Sequence, residues 1–240
     1  MISSRWKILC VVLPVIGSIA LAQVNDSEFF LRRRIYDNGL THFWKFENNG
    51  SPSVSAITLT STNGVTYDAG KYNFAAAQCQ SNRWFTLNSD IVLSNEFTAS
   101  AWVRANRGPG NALLELGMIF GGLASTQGYV RIQTNYVYFY NDGETKGFFI
   151  TNMIPSNVWT HVAATCTATQ QALYVNGARV GTANLGMPFV IRVNSVGTAY
   201  RIASDGGERF TLRGLLDELR FYSRPLSSGE VFNIYSEAVP

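Results

Sequence analysis

"WTHVAATCTATQQALYVNGARV", residues 159–180, is the stretch whose reading decides the fold. Two apolar, β-branched runs flank a polar middle. The second run ends in Asn176-Gly177, residue types that accept the positive φ of a tight hairpin turn. The stretch therefore reads as a β-hairpin. Trp159 and His161 stand two apart and share one face of its first arm, and Cys166 lies near that arm's end. A Trp-x-His pair suits a chemical site or the wall of a β-sandwich, and the surrounding sequence decides between them.

Outward from this hairpin, nearly everything after residue 40 reads as short strands between turns. "THFWKF" (41–46), "RWFTL" (83–87), "FTASAWVRA" (97–105), "YVRIQ" (129–133), "YVYFY" (136–140), "FVIRV" (189–193) and "LDELRFY" (216–222) are rich in β-branched and aromatic residues. "AITLT" (56–60), "GFFIT" (147–151) and "YRIAS" (200–204) read as strands in the same way, and "NDG" at 141–143 marks a second hairpin turn. About a dozen short strands with no long helix predict an all-β sandwich or barrel. One helix is signalled, in "PLSSGEVFNIY" (225–235). Ser227 stands three residues before Glu230, a capping box, and Leu226 and Val231 sit where a hydrophobic staple places them.

The 240 residues open with a distinct segment. Arg5 and Lys7 precede an apolar run, Ile8 to Ala22, broken by Pro14, Gly17 and Ser18 and closing on Ala20-Leu21-Ala22. That order predicts a signal peptide over 1–22, cleaved after Ala22, and hence secretion. Residues 23–35, with "LRRR" at 31–34, read as a leader, and 36–239 as one domain. Removing Arg5 and Lys7 takes the net charge from +3 to +1. So neutral a chain offers no electrostatic case for nucleic acid or an anionic membrane. No later stretch is apolar enough to insert into a bilayer. Asn25-Asp26-Ser27 and Asn49-Gly50-Ser51 are glycosylation sequons. Cys10 leaves with the signal; Cys79 and Cys166 remain, an even count in an oxidising compartment. One disulfide is the simplest expectation, two buried thiols the alternative.

Four segments, in order, resemble one family. "GLTHFWKFENNG" (39–50) resembles its opening Leu-x-x-Trp-x-Phe strand, and "FTASAWVRA" its Phe-Thr-x-x-Ala-Trp-Val strand. Residues 159–181 resemble its Trp-x-His-Val-Ala hairpin. "LRGLLDELRFYSRPLSSGEVFNIY" (212–235) resembles its Asp-Glu-Val-Arg-Ile-Tyr strand and closing helix. The chain is thus similar to laminin-G-like and pentraxin-like jelly rolls of the concanavalin A-like lectin/glucanase superfamily. The resemblance implies a two-sheet antiparallel jelly-roll sandwich with a short C-terminal helix. It also implies that the Trp-x-His strand is an inner strand, His161 a structural histidine, and that a disulfide bridges strands similar to those of Cys79 and Cys166. Of Asp217 and Glu218 it implies structural roles, one buried against backbone donors and the other facing out.

Chemistry on this fold needs residues that this chain lacks. The superfamily's glucanases use a Glu-x-Asp-x-x-Glu carboxylate set, absent here, and no nucleophile elbow, zinc-binding or phosphate-loop motif occurs. No enzyme activity is expected. Where calcium-binding relatives carry Asp-Gly-x-x-Asp-Tyr, this chain has "CQSNRWF" (79–85), and Asp68, Asp90 and Asp205 form no ligand pattern. Neither metal nor cofactor is expected. Binding residues are better signalled. Tyr136, Tyr138 and Tyr140 alternate along one strand, a strip suited to stacking on sugar rings or meeting a protein, and Trp84 beside Arg83 is a second candidate. The expected function is a secreted, non-catalytic module that binds an extracellular glycan or glycoprotein. The alternative is an adhesion, matrix or assembly protein acting through protein contacts, as in a homo-oligomer.

Overall fold

The computed structural model describes residues 38–72, 76–79, 83–93, 96–105, 118–121, 129–133, 136–140, 154–184, 191–196, 212 and 214–237. Residues 1–22 and 23–35, the second turn at 141–143, Asp205 and the strands expected at 147–151 and 200–204 lie outside them. The fold is carried by the unit Gly39–Pro240.

Fourteen strands are described: β1 (Leu40–Trp44), β2 (Leu59–Thr62), β3 (Thr66–Asp68), β4 (Ala76–Cys79), β5 (Trp84–Leu93), β6 (Phe97–Ala105), β7 (Met118–Gly121), β8 (Tyr129–Gln133), β9 (Tyr136–Tyr140), β10 (Thr160–Cys166), β11 (Gln170–Val175), β12 (Ala178–Asn184), β13 (Ile191–Val196) and β14 (Gly214–Tyr222). One helix follows, α1 (Ser228–Ser236). The strands form two antiparallel sheets, the jelly-roll sandwich that the family resemblance implies. One runs β12-β11-β10-β6-β14-β4-β3, with β1 also paired to β14; the other runs β2-β5-β13-β7-β8-β9. The quoted hairpin is β10–β11, and Asn176 and Gly177 turn β11 into β12 with φ of 48° and 76°. The Asn176 side chain also stands in for a strand residue. Its Oδ1 accepts the His161 N–H at 2.9 Å, while its own N–H donates to the His161 carbonyl at 2.9 Å.

Alternation sorts β6 and β10 between two buried layers. Phe97, Ala99, Ala101, Val103, Val162, Ala164 and Cys166 join Trp44, Phe85, Leu93, Leu173 and Phe221 in the core between the sheets. Trp102 and His161, paired across β6 and β10, are buried too, but on the opposite face. There Tyr235 of α1 covers them, with ring centroids 5.7 Å and 6.2 Å away. The Trp-x-His strand is therefore an inner strand, as expected. Its histidine faces the helix, and Val162 and Ala164 face the other sheet.

The capping box forms as the sequence predicts. Ser227 Oγ accepts the Glu230 N–H at 3.3 Å, and Glu230 Oε2 accepts the Ser227 N–H at 2.8 Å. Arg224 grips the same carboxylate at 2.6 and 3.2 Å. Leu226 and Val231 are both buried.

The expected disulfide is corrected: Cys166 is a free, buried thiol. Register gives the reason. Cys166 lies opposite Phe97, the first residue of β6, whereas Cys79 lies opposite Gly214, which lies opposite Ala105, the last. Eight residues of extended strand place these two ends about 27 Å apart, far beyond the ~7 Å that a disulfide tolerates between Cα atoms.

Candidate functional site

β1 pairs with the end of β14 through a bulge: Leu40 lies opposite Tyr222 and His42 opposite Phe221, leaving Thr41 as the extra residue. A bulge re-aims side chains that regular alternation would send to opposite faces. Thr41 and His42 accordingly both line one cavity of about 240 Å³. It opens at the end of the sandwich, between the start of β1, the end of β5, the start of β6 and the end of β14. Ile57, Ile91, Leu93 and Phe97 give it apolar surface, and Asp90, Glu96 and Ser223 join Thr41 and His42 as polar lining. The volume sits below the usual range of about 300–1,000 Å³ for drug-sized ligands, so the space suits one small ring.

His42 is held from three sides. Its ring stacks on Trp44 at 5.8 Å and meets Phe221 edge-on at 6.2 Å. Its Nδ1 lies 2.8 Å from Thr41 Oγ1, whose hydroxyl donates to the Phe221 carbonyl at 3.0 Å. A carbonyl only accepts, so the threonine proton is engaged there and Nδ1–H must donate to Thr41. The neutral ring is thereby fixed with its proton on Nδ1 and a lone pair on Nε2. Burial lowers the His42 pKa from its ordinary value and keeps the ring neutral near pH 7.

Sequence reading passed over this site. Its residues come from four separate segments, and a bulge leaves no mark in the sequence. The available signal was His42 two residues before Trp44, a pair sharing a strand face.

The sequence candidates lie elsewhere. The backbone of Tyr136–Tyr140 forms β9, at the far end of the six-strand order, with Tyr138 opposite Arg131; the side chains of Tyr136, Tyr138 and Tyr140 lie outside the described residues. Four strand spacings separate β9 from β5, about 19 Å. Trp84 is half-buried at the start of β5, opposite Thr62, and Arg83 Nη1 donates to Thr66 Oγ1 at 3.4 Å. The cavity is at the other end of β5, so the fold unites neither the tyrosine strip nor the Arg83–Trp84 pair with it.

The charged residues of β14 are structural. Asp217 accepts the N–H groups of Lys71, Tyr72 and Glu218 at 2.8, 3.4 and 2.9 Å. Burial, with Glu218 beside it, pushes Asp217 up to about 7 against the pull of those donors. Glu218 does not face out, as the resemblance implied: it too is buried, with its carboxylate 2.6 Å from Arg220 Nη2. A bulge between Asp217 and Arg220, with Glu218 at φ 53°, turns it inward. Arg220 also reaches Glu237 at 3.0 Å and lies 4.5 Å from the Phe43 ring centroid.

A laminin G-type family model, described as concanavalin A-like lectin/glucanases superfamily, matches residues 79–232. No curated protein matches the chain by sequence. Solved structures do. Domain 4 of a GH43 extracellular arabinanase from Geobacillus stearothermophilus, in complex with arabinotriose, is 20% identical with a TM-score of 0.63, covering 82% of this chain and 98% of that one. The binding domain of botulinum neurotoxin DC, in complex with SialylT, is 14% identical with a TM-score of 0.57, covering 84% and 52%. The binding domain of Paraclostridial Mosquitocidal Protein 1 is 17% identical with a TM-score of 0.58, covering 84% and 52%. This chain thus spans about half the length of the two toxin domains. At these identities the likeness is one of fold.

Proposed function

This chain belongs to the concanavalin A-like lectin/glucanases superfamily, and we propose that it is a non-catalytic binding module that acts outside the cell and recognises glycan. The observation that carries the reading is the cavity at the sandwich end, where apolar Ile57, Ile91, Leu93 and Phe97 meet polar Thr41, His42, Asp90, Glu96 and Ser223. A sugar ring presents the same mixture, with C–H faces for the apolar surface and hydroxyls for the polar groups. Two solved structures of the same fold, in complex with arabinotriose and with SialylT, support a saccharide-binding reading. The signal-peptide reading of residues 1–22 supports secretion. Among the described residues no helix is long and apolar enough to cross a membrane.

Binding is favoured over catalysis because Asp90 and Glu96 are both exposed. A glycosidase places a pair of carboxylates with one of them in an apolar pocket, and both of these are solvent-facing. The strip of Tyr136, Tyr138 and Tyr140 on β9 enters the proposal as a separate stacking surface.

A glycan-array screen of the purified protein, run with calcium and with chelator, tests the reading. Saccharide binding that is weakened by His42→Ala supports it. If the folded protein retains no glycan under either condition, the proposal fails, and release of reducing sugar would overturn the non-catalytic part.

A further inference from the structure

The polar side chains of this cavity are matched to one kind of ligand. Thr41 donates its hydroxyl proton to the Phe221 carbonyl, and Ser223 donates its own to the Gly39 carbonyl at 3.4 Å. Nδ1–H of His42 is engaged by Thr41, so its free nitrogen is an acceptor. Asp90 and Glu96 bring two carboxylates, and neither has an ion-pair partner among the described residues. No lysine or arginine is among the described residues that line the space. Tyr222 also lines the space, but its hydroxyl is buried. Thr41, His42, Ser223, Asp90 and Glu96 therefore present acceptors, two of them negatively charged, over an apolar base.

We propose that the cavity selects a sugar unit bearing a free, protonated amine and discriminates against acidic sugars. The inference rests on the glycan reading and names the ligand class of that site. An ammonium group supplies three donors and a positive charge to acceptors that lack both. The apolar surface takes the C–H face of the ring. A carboxylated or sulfated sugar meets Asp90 and Glu96 without a cation to offset the repulsion, which costs affinity.

Isothermal titration of the purified protein with glucosamine oligomers, their N-acetylated counterparts and a uronic-acid oligomer of equal length tests this. The expected order is amine, then N-acetyl, then acid, with up to about a fivefold step from amine to N-acetyl, the upper end of what one exposed charge contact gives. The Asp90→Asn, Glu96→Gln double variant should erase that step and leave the melting temperature unchanged, because both side chains are exposed. Raising sodium chloride from about 0.05 M to about 0.5 M should shrink the step in the wild-type protein only. Equal affinity for the amine and N-acetyl forms, lost in His42→Ala, overturns the charge selection and leaves the glycan reading standing. Preference for the acid overturns the selection too. A preference that persists in the double variant places the ligand outside this cavity. Absence of all binding by a protein of unchanged melting temperature removes both readings.

Discussion

Asp217 Oδ2 accepts the backbone N–H of Lys71 at 2.8 Å, joining two points 146 residues apart in the chain. The contact fills a break in the sheet. β4 pairs with β14 as far as Leu216 and β1 takes over at Leu219, so neither reaches Asp217. The side chain satisfies loop N–H groups that no strand partner can. Asp217→Ala should strand three N–H donors, one buried and two partly buried, and lower stability by about 2–3 kcal/mol, since a fully buried orphaned group costs ~1–3 kcal/mol and a partly exposed one less. Urea unfolding checks this.

The same residue has a pH signature. Its folded carboxyl holds a proton up to about 7, and the unfolded one releases it near 3.8. Between those values the native state binds the extra proton, so this group makes stability fall as pH rises. Asp217→Asn should remove that fall, read as a flatter plot of unfolding free energy against pH from 4 to 7 relative to wild type.

His161 acts in the opposite sense. Burial, reinforced by the positive charge of Arg220, lowers it to about 3, and neither ring nitrogen has a hydrogen-bond partner among the described residues. Below pH 6.5 the unfolded chain gains a proton that the native state refuses, so stability is lost as pH falls toward 3. His161→Leu should match or exceed wild type at pH 7. Its advantage should grow on acidification to on the order of 4 kcal/mol. Thermal melts of both proteins at pH 7, 5 and 4 check the divergence.

Cys166 should resist alkylation in the native protein and react after denaturation, because burial pushes its thiol up to about 12. Peptide mass mapping after iodoacetamide treatment reads this. A reducing agent should leave the melting temperature in place, whereas loss of a native disulfide costs about 2–5 kcal/mol.

Gly214 opens β14 at φ 151°, where an added Cβ would lie 2.2 Å from the Arg104 carbonyl oxygen. Strand β6 cannot withdraw, because it pairs with β10 on its other side. Gly214→Ala should cost more than about 3 kcal/mol or abolish soluble expression, the outcome of forcing a side chain into backbone at a conformation suited to glycine. Gly64, also at positive φ but with open space around it, should tolerate alanine far better.

Local signals carried the architecture of this protein into its sequence. Alternation in 97–105 and 160–175, the Asn176-Gly177 turn and the Ser227–Glu230 capping box each act over a few residues, and each formed as read. β3 and β4 escaped notice because they are short and lack a β-branched run; β4 draws its definition from pairing with β14, and β3 from pairing with β4. What only the tertiary structure decided depends on which distant residues meet. Alternation shows that Trp102 and His161 share a layer with one another, but the sheet of β6 and β10 is buried on both sides, so it cannot say whether sheet or helix covers them. Cysteine count cannot report that register sets Cys79 and Cys166 at opposite ends of β6. In the cavity, a one-residue bulge at Thr41 places Thr41 and His42 in one lining with Asp90 and Glu96, which lie about 50 residues away along the chain; the packing of the two sheets brings them together, and nothing local encodes it.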